Sequence, residues 1–104
     1  MHTVLFQLLS ILRQEPADAS ALLERLQSLT SGSIPSLPAF YRHIRRGMED
    51  GWIAIAGTDQ QEDGPGRPRQ VYRITESGTA ALRNHAQEME VFTTLALGKG
   101  RAMP

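Results

Sequence analysis

The sequence contains no cysteine, which excludes disulfide bonds and thiolate metal sites. It has no apolar run close to the ~20 residues that a membrane-spanning helix needs. The partly apolar segment 1–15 lacks the basic start and the small-residue cleavage site of a signal peptide. A length of 104 residues, 40% of them hydrophobic, is typical of one globular domain. We therefore expect a cytoplasmic protein with no membrane partner.

The chain also lacks a net charge, whereas domains that bind nucleic acid are commonly basic. Its cations are unevenly distributed, however, and ten of the eleven are arginine. Three lie in the segment 41–51, YRHIRRGMEDG, and three in the segment 64–78, GPGRPRQVYRITESG. A planar guanidinium group suits phosphates and guanine edges better than an ammonium group does. A nucleic-acid partner therefore stays open, although an arginine-rich genome would produce the same bias.

The apolar spacing predicts four α-helices, over 3–14, from 18 or 20 to 29, over 36–50 and over 76–97. The predicted N-caps are Asp18 or Ser20, Ser36 and Thr75, and Gly51 is the predicted C-cap of the third helix. Segments 52–57 and 69–74 alternate like strands, and the loop between them predicts a hairpin. Three helices, a hairpin and a helix predict a mainly α fold with a small β-hairpin, a winged helix-turn-helix.

The third predicted helix has two chemically different faces. We expect an inward face of Leu37, Phe40, Tyr41, Ile44 and Met48. We expect an outward face of Ala39, Arg42, His43, Arg45, Arg46 and Glu49. An arginine-rich outer face is often no more than a solvated surface, but in a winged helix the same face enters the major groove of DNA.

Two segments carry a resemblance to a known family. They are AFYRHIRRGMEDGWI (39–53) and GRPRQVYRITESGTAAL (66–82), and they resemble the PadR-like winged-helix transcriptional regulators of bacteria. In that family a tyrosine precedes by ten residues the glycine that ends the third helix, as Tyr41 precedes Gly51 here. The wing pattern is matched by Gly66, Arg67, Pro68, Arg69, Tyr72, Arg73, Ile74, Thr75, Glu76 and Gly78.

The chain departs from the family pattern at two positions in the third helix. Pro38 stands where the family usually has glycine, and Gly47 where it usually has leucine. Glycine weakens a helix by about 1 kcal/mol relative to alanine. We expect Met48 to take over the packing of the missing leucine. The N-terminal region also lacks the family's usual HGYEI-like stretch.

The resemblance implies a dimeric, sequence-specific DNA-binding regulator, and we expect a repressor. The predicted DNA-binding residues are Ser36, Ala39, Tyr41, Arg42, His43, Arg45, Arg46, Arg67, Arg69 and Arg73. Arg67, Arg69 and Arg73 would hold phosphates from the stem of the wing. The acidic tip, which contains Asp59, Glu62 and Asp63, would point away from the duplex or be mobile. A solvated hairpin is the plain alternative.

The last predicted helix is longer than a small domain can cover. We therefore expect residues 1–75 to form the DNA-binding domain, 76–97 a dimerisation helix and 98–104 a disordered tail. The predicted dimer interface is Leu5, Leu8, Leu82, His85, Met89, Phe92 and Leu95. Such a twofold dimer would bind a pseudo-palindromic operator in double-stranded DNA. The alternative is that this helix packs wholly on its own domain.

Other functions find little support in the sequence. The three histidines lie on separate elements without ligand spacing, so no metal or other cofactor is expected. No nucleophile elbow, phosphate loop or paired-carboxylate motif indicates an enzyme. Trp52 could line an effector pocket but is more often a core residue at such a position. A winged-helix protein-interaction module without DNA binding is the competing interpretation, which the zero net charge favours.

Overall fold

Four α-helices and three β-strands make up the computed structural model, which describes residues 1–59 and 69–98. In chain order they are α1 (Thr3–Gln14), β1 (Ala17–Asp18), α2 (Ala19–Leu29), α3 (Leu37–Glu49), β2 (Ile53–Asp59), β3 (Arg69–Ile74) and α4 (Glu76–Ala96). The strands β2 and β3 pair antiparallel and form the wing. The predicted winged helix-turn-helix with an additional C-terminal helix is confirmed.

The wing belongs to a three-stranded antiparallel sheet with the order β1-β3-β2. Ala17 of β1 lies opposite Tyr72 of β3, and Asp18 lies opposite Val71. The sequence predicted only a hairpin, because two residues after Pro16 are too few for an alternating pattern to be visible. β3 is therefore the central strand, with a partner on each side.

All helices and strands contribute to one hydrophobic core, and α1 lies at its centre in contact with α2, α3, α4 and β3. The core consists of Leu5, Leu8, Leu9, Ile11, Leu12, Ala17, Leu22, Leu26, Phe40, Ile44, Ile53, Tyr72 and Leu82. Three of these, Leu5, Leu8 and Leu82, were predicted to lie in a dimer interface. That assignment is corrected here, because their side chains are buried within one protomer and leave no surface for a partner.

The packing of α3 differs from the sequence prediction. Three of its expected inward side chains are exposed, namely Leu37, Tyr41 and Met48. Gly47 is buried in their place. A Cβ added at Gly47 would lie 2.5 Å from Cδ1 of Ile53 and 3.3 Å from Cδ1 of Leu5. Ile53 from the sheet thus fills the space, and the expectation that Met48 would do so was wrong.

Both ends of α3 are defined by local hydrogen bonds. The hydroxyl oxygen of Ser36 accepts the backbone N–H of Ala39 at 3.3 Å, as predicted for an N-cap. Gly51, the predicted C-cap, has a φ of 77° and lies one position beyond the observed cap, Asp50. It reverses the chain so that Trp52 N–H can donate to the carbonyl of Gly47 at 2.8 Å. The wing therefore leaves α3 at a fixed angle.

Thr75 joins the end of α3 to the start of α4. Its N–H donates to the carbonyl of Trp52 at 2.9 Å, and its hydroxyl donates to the carbonyl of Gly51 at 2.6 Å. The same hydroxyl accepts the N–H of Gly78 at 2.9 Å, which confirms the predicted N-cap of α4. Gly78 is buried against the Trp52 carbonyl, where an added Cβ would overlap it. We call Gly51, Trp52, Thr75 and Gly78 the junction.

The helix α4 packs on α1 only in its first half. Its 21 residues extend over ~32 Å at 1.5 Å per residue. Leu82 is buried, and the ring of His85 lies 5.1 Å from that of Phe6 of α1. Met89 and Phe92 follow at helical spacing but are exposed, Phe92 by 65%. The predicted tail lies outside the described residues apart from Gly98, and the described helices are too short or too polar to cross a membrane.

We predict that Gly78→Ala destabilises the protein by about 1 to 3 kcal/mol, because the new methyl group must displace backbone atoms of the junction. Gly57→Ala is the matched control. Its Cβ would meet nothing within 4 Å, so a change within about 0.5 kcal/mol is expected. Urea unfolding measures both free energies. Equal stabilities of the two variants would show that the junction tolerates a side chain.

We further predict that Gly47→Ala is destabilising although alanine is the better helix former by about 1 kcal/mol. The reason is the contact with Cδ1 of buried Ile53. Ile53→Val removes that methyl group at a cost of its own of about 0.5 to 1.5 kcal/mol. The double variant should lose less stability than the sum of the single variants. Strict additivity in urea unfolding would contradict the proposed contact.

Candidate nucleic-acid interface

The outer face of α3 is a basic surface. Arg42, Arg45 and Arg46 are exposed there, and in the described part of the chain only Arg46 is paired with a carboxylate. They lie on the side opposite Phe40 and Ile44, which the core buries. The helical spacing of the apolar residues predicted this division correctly for the three arginines, since each residue rotates the helix by about 100°.

One of these arginines is paired within the helix. Nε of Arg46 lies 3.1 Å from Oδ2 of Asp50, four residues further along. The Arg46 side chain is nevertheless 66% exposed. An exposed pair of this kind contributes about 0 to 1 kcal/mol and is screened by salt. A phosphate can therefore compete with Asp50 for this guanidinium group.

The first turn of α3 presents small side chains. Ser36 is exposed, and its oxygen accepts the capping N–H while its O–H remains able to donate. Ala39 is half-buried. Tyr41 is 45% exposed, with its ring packed edge-to-face on Phe40 at 5.4 Å. These three predicted residues therefore lie near one another, but Tyr41 flanks the outer face and is not a core residue.

His43 does not share the outer face with the arginines. It is half-buried and turns towards the N-terminus of α1, where its ring lies 4.3 Å from the ring of His2. Burial lowers the pKa of His43 below its ordinary value of 6.5, and the neighbouring His2 and Arg42 lower it further. No sequence pattern indicated His2 as a neighbour, because 41 positions separate it from His43 and only tertiary packing brings the two together.

A groove of about 620 Å³ runs between the N-terminus of α1 and α3, and we call it the α1–α3 groove. Its lining is Met1, His2, Leu5, Arg42, His43, Arg45, Arg46, Glu49, Asp50 and Trp52. The groove is continuous with the basic outer face of α3, because it shares all three arginines with that face. Trp52 packs against the core and borders the groove with its remaining surface.

The stem of the wing contributes one described cation. Arg73 of β3 is exposed and pairs across the sheet with Ala54 of β2, while its neighbour Tyr72 is buried. Arg67 and the predicted acidic tip residues Glu62 and Asp63 lie outside the described residues, and so do the side chains of Asp59 and Arg69.

A cation that the sequence analysis did not select lies beside the wing. Arg83 of α4 lines a shallow groove together with Arg73, Thr75, Glu76 and Thr79. The two arginines come together because β3 runs directly into α4 at the junction. Ten residues separate them in the sequence, so no local pattern indicates the proximity.

Comparison with known proteins identifies the family. The model of the transcriptional regulator PadR-like family matches residues 8–84, which is more than half of the chain. The chain belongs to this family. The resemblance found in the sequence is thereby confirmed, and the arginines described above lie within a PadR-like regulator of transcription. No curated protein matches the chain.

Solved structures agree with this assignment. A PadR family transcriptional regulator from Eggerthella lenta is 31% identical, with 98% of this chain and 84% of that chain covered and a TM-score of 0.71. A transcriptional regulator from Clostridium thermocellum is 20% identical, with 92% of this chain and 90% of that chain covered and a TM-score of 0.75. Bacillus subtilis PadR, solved in complex with operator DNA, is 18% identical, with 83% of this chain and 48% of that chain covered and a TM-score of 0.71.

Proposed function

We propose that this PadR-like regulator is a dimeric, sequence-specific DNA-binding repressor. α3 enters the major groove, and the wing contacts the backbone or minor groove beside it. The observation that carries this proposal is the set of three exposed arginines on the outer face of α3. Further support comes from Bacillus subtilis PadR, which shares the fold and was solved with operator DNA.

The chemistry of α3 suits the reading of base edges. A helix of 13 residues fits the major groove, where arginine donates two hydrogen bonds to O6 and N7 of guanine. Arg42 lies nearer to the first turn of α3 than Arg45 and Arg46 do, and in helix-turn-helix proteins the N-terminal part of this helix contacts the bases. We therefore assign base contacts to Ser36, Ala39 and Arg42, and phosphate contacts to Arg45 and Arg46.

The wing supplies contacts that position the protein without reading sequence. Arg73 projects from the solvent face of β3, and Arg83 lies beside it on α4. Two guanidinium groups around one shallow groove are suited to a phosphate. Arg67 and Arg69 remain predicted phosphate contacts of the same kind. Tyr41, at the flank of α3, offers its hydroxyl group to the backbone.

The zero net charge is compatible with this function because the acids occupy a different part of α3. Glu49 and Asp50 lie at its C-terminal end, whereas Ser36 and Ala39 lie at its start. A duplex that approaches the first turns meets Ser36, Ala39 and Arg42 before it reaches these carboxylates. The balance of charge should weaken non-specific binding, which depends on the total number of neutralised phosphates. Discrimination between sequences then depends on base contacts.

The dimer is proposed from the unpartnered second half of α4. Met89 and Phe92 continue the stripe that begins with buried Leu82 and half-buried His85, yet none of the described residues covers them. Leu95 lies one turn further and is also exposed. A second copy is the proposed occupant. It would receive this half of α4 beside its own α1, where an apolar groove of about 360 Å³ lies between α1 and α2.

Selection of bound sequences from a random pool of duplex DNA at moderate salt tests the function directly. We expect a consensus with two half-sites about one helical turn apart, since two copies of α3 must reach successive major grooves. Transcription in vitro from a promoter that overlaps the selected site should fall when the protein is added. A pool that shows no enrichment would leave the protein-interaction module as the better interpretation.

We predict that Arg42→Ala and Arg73→Ala weaken DNA binding in different ways. Arg42→Ala should relax the sequence preference at particular positions by about 1 to 3 kcal/mol. Arg73→Ala should weaken binding to every duplex and reduce the slope of log K against log salt by about one. Fluorescence anisotropy with matched and scrambled duplexes measures both effects.

Arg13→Ala is the control for this pair, because Arg13 is exposed at the far end of α1 from the α1–α3 groove. It removes the same charge and should leave the affinity nearly unchanged. Identical effects of Arg42→Ala and Arg73→Ala on matched and scrambled duplexes would refute the division into base-reading and phosphate-binding arginines.

We predict that Phe92→Glu converts the protein into monomers, because it places a charge in the proposed apolar interface. Val91→Glu is the matched control. Val91 is also exposed, but helical rotation places it opposite Leu82 and hence away from α1. Sedimentation equilibrium should show a dimer for the control and a monomer for Phe92→Glu. A dimer in both variants would place the interface elsewhere.

A further inference from the structure

We propose that His43 is a proton-linked DNA contact, neutral in the free protein and protonated when a DNA phosphate occupies the α1–α3 groove. This inference rests on the proposed function and deepens it. It makes operator binding stronger as the pH falls through the physiological range. It also assigns a role to the N-terminus of α1, which borders the basic face of α3.

The geometry brings two imidazole rings together at the edge of that face. The ring centroids of His2 and His43 are 4.3 Å apart, with an angle of 41° between the planes. His2 is the N-cap of α1, and its Nδ1 accepts the backbone N–H of Val4 at 3.1 Å. A proton placed on Nδ1 of His2 would break this bond. His43 is therefore the member of the pair that can gain a proton without loss of the cap.

The charges around His43 in the free protein oppose its protonation. Burial is the largest cause that lowers the pKa of His43, and the adjacent His2 ring and the neighbouring Arg42 lower it further. The acids that face the same groove are Glu49 and Asp50, and Asp50 is already paired with Arg46. Among the described residues, the other charged and titratable groups that line the groove are the α-amino group of Met1 and the side chains of His2, Arg42, Arg45, Arg46, Glu49 and Asp50. Cations outnumber acids in this set, so a cationic His43 needs a further negative charge.

A DNA phosphate supplies that negative charge. When it enters the groove to meet the arginines, it favours the charged form of a nearby imidazole and raises the pKa of His43. Binding is then coupled to proton uptake, and affinity increases as the pH falls. The gain is about tenfold for each unit by which the phosphate raises this pKa.

Protonation of His43 should lower the stability of the fold although it strengthens DNA binding. This difference in sign distinguishes a proton-linked contact from a purely structural residue. The pKa of His43 is lower in the folded than in the unfolded protein. The unfolded chain therefore binds more protons below about pH 6.5, and the stability that neutral His43 contributes is lost as the pH falls. A merely structural His43 would weaken DNA binding in acid, whereas a proton-linked contact strengthens it.

The test is an anisotropy titration of the protein with its selected duplex at about pH 6, 7 and 8 and constant ionic strength, a range in which histidine changes its charge. The wild type should bind more tightly at each lower pH, with the larger gain between about pH 7 and pH 6. His43→Gln should bind more weakly at low pH and lose most of this dependence. His43→Lys carries a fixed charge and should bind at every pH at least as tightly as the wild type does at neutral pH.

Nuclear magnetic resonance titration of the His43 ring measures its pKa in the wild-type protein, so this experiment does not require any variant to fold. Its pKa should be higher in the DNA complex than in the free protein. An unchanged or lower value, or a His43→Gln variant with the wild-type pH dependence, would overturn this inference while the regulator function stands. Absence of any preferred duplex at every pH would instead remove the proposed function and this inference with it.

Discussion

The close backbone packing of the junction determines the relative positions of the three working parts of the molecule. The hydroxyl of Thr75 donates to the Gly51 carbonyl and accepts the Gly78 N–H, so that one side chain satisfies groups from both α3 and α4. Gly78 permits this because it has no Cβ to collide with the Trp52 carbonyl. The helix proposed to contact DNA, the base of the wing and the proposed dimer helix are therefore held together in one unit. In a dimer, the distance between two copies of α3 would follow directly from how the two α4 helices pack.

The parts of the fold that sequence reasoning predicted are those that local chemistry determines. Ser36 and Thr75 were recognised as N-caps because a hydroxyl before an apolar stripe serves the orphan N–H groups of a helix. The parts it missed depend on contacts between distant segments. β1 is too short to show a period, and it exists because β3 offers an open edge beside it. Gly47 looked like a defect in α3, whereas it makes room for Ile53, a residue of the next element.

The same distinction between local chemistry and contacts between distant segments applies to the candidate site. Helical periodicity placed Arg42, Arg45 and Arg46 outside, and their exposure agrees with this. Periodicity could not show that His43 would be drawn towards His2, or that Arg83 would lie beside Arg73, because these pairs form across elements. The apolar stripe of α4 also predicted only part of the packing of this helix. It indicated a buried face along the whole helix but not where the protomer's own core ends, which is between Leu82 and Met89.

The short strand β1 has a consequence for the thermodynamics of recognition. Its two residues pair with β3 on the side opposite β2. They belong to the segment that links α1 to α2. The base of the wing is thus immobilised during folding, so its conformational entropy is lost before any duplex arrives. Such preorganisation leaves more of the contact free energy available as affinity. For a regulator with no excess of positive charge, this smaller entropic cost of binding is particularly important.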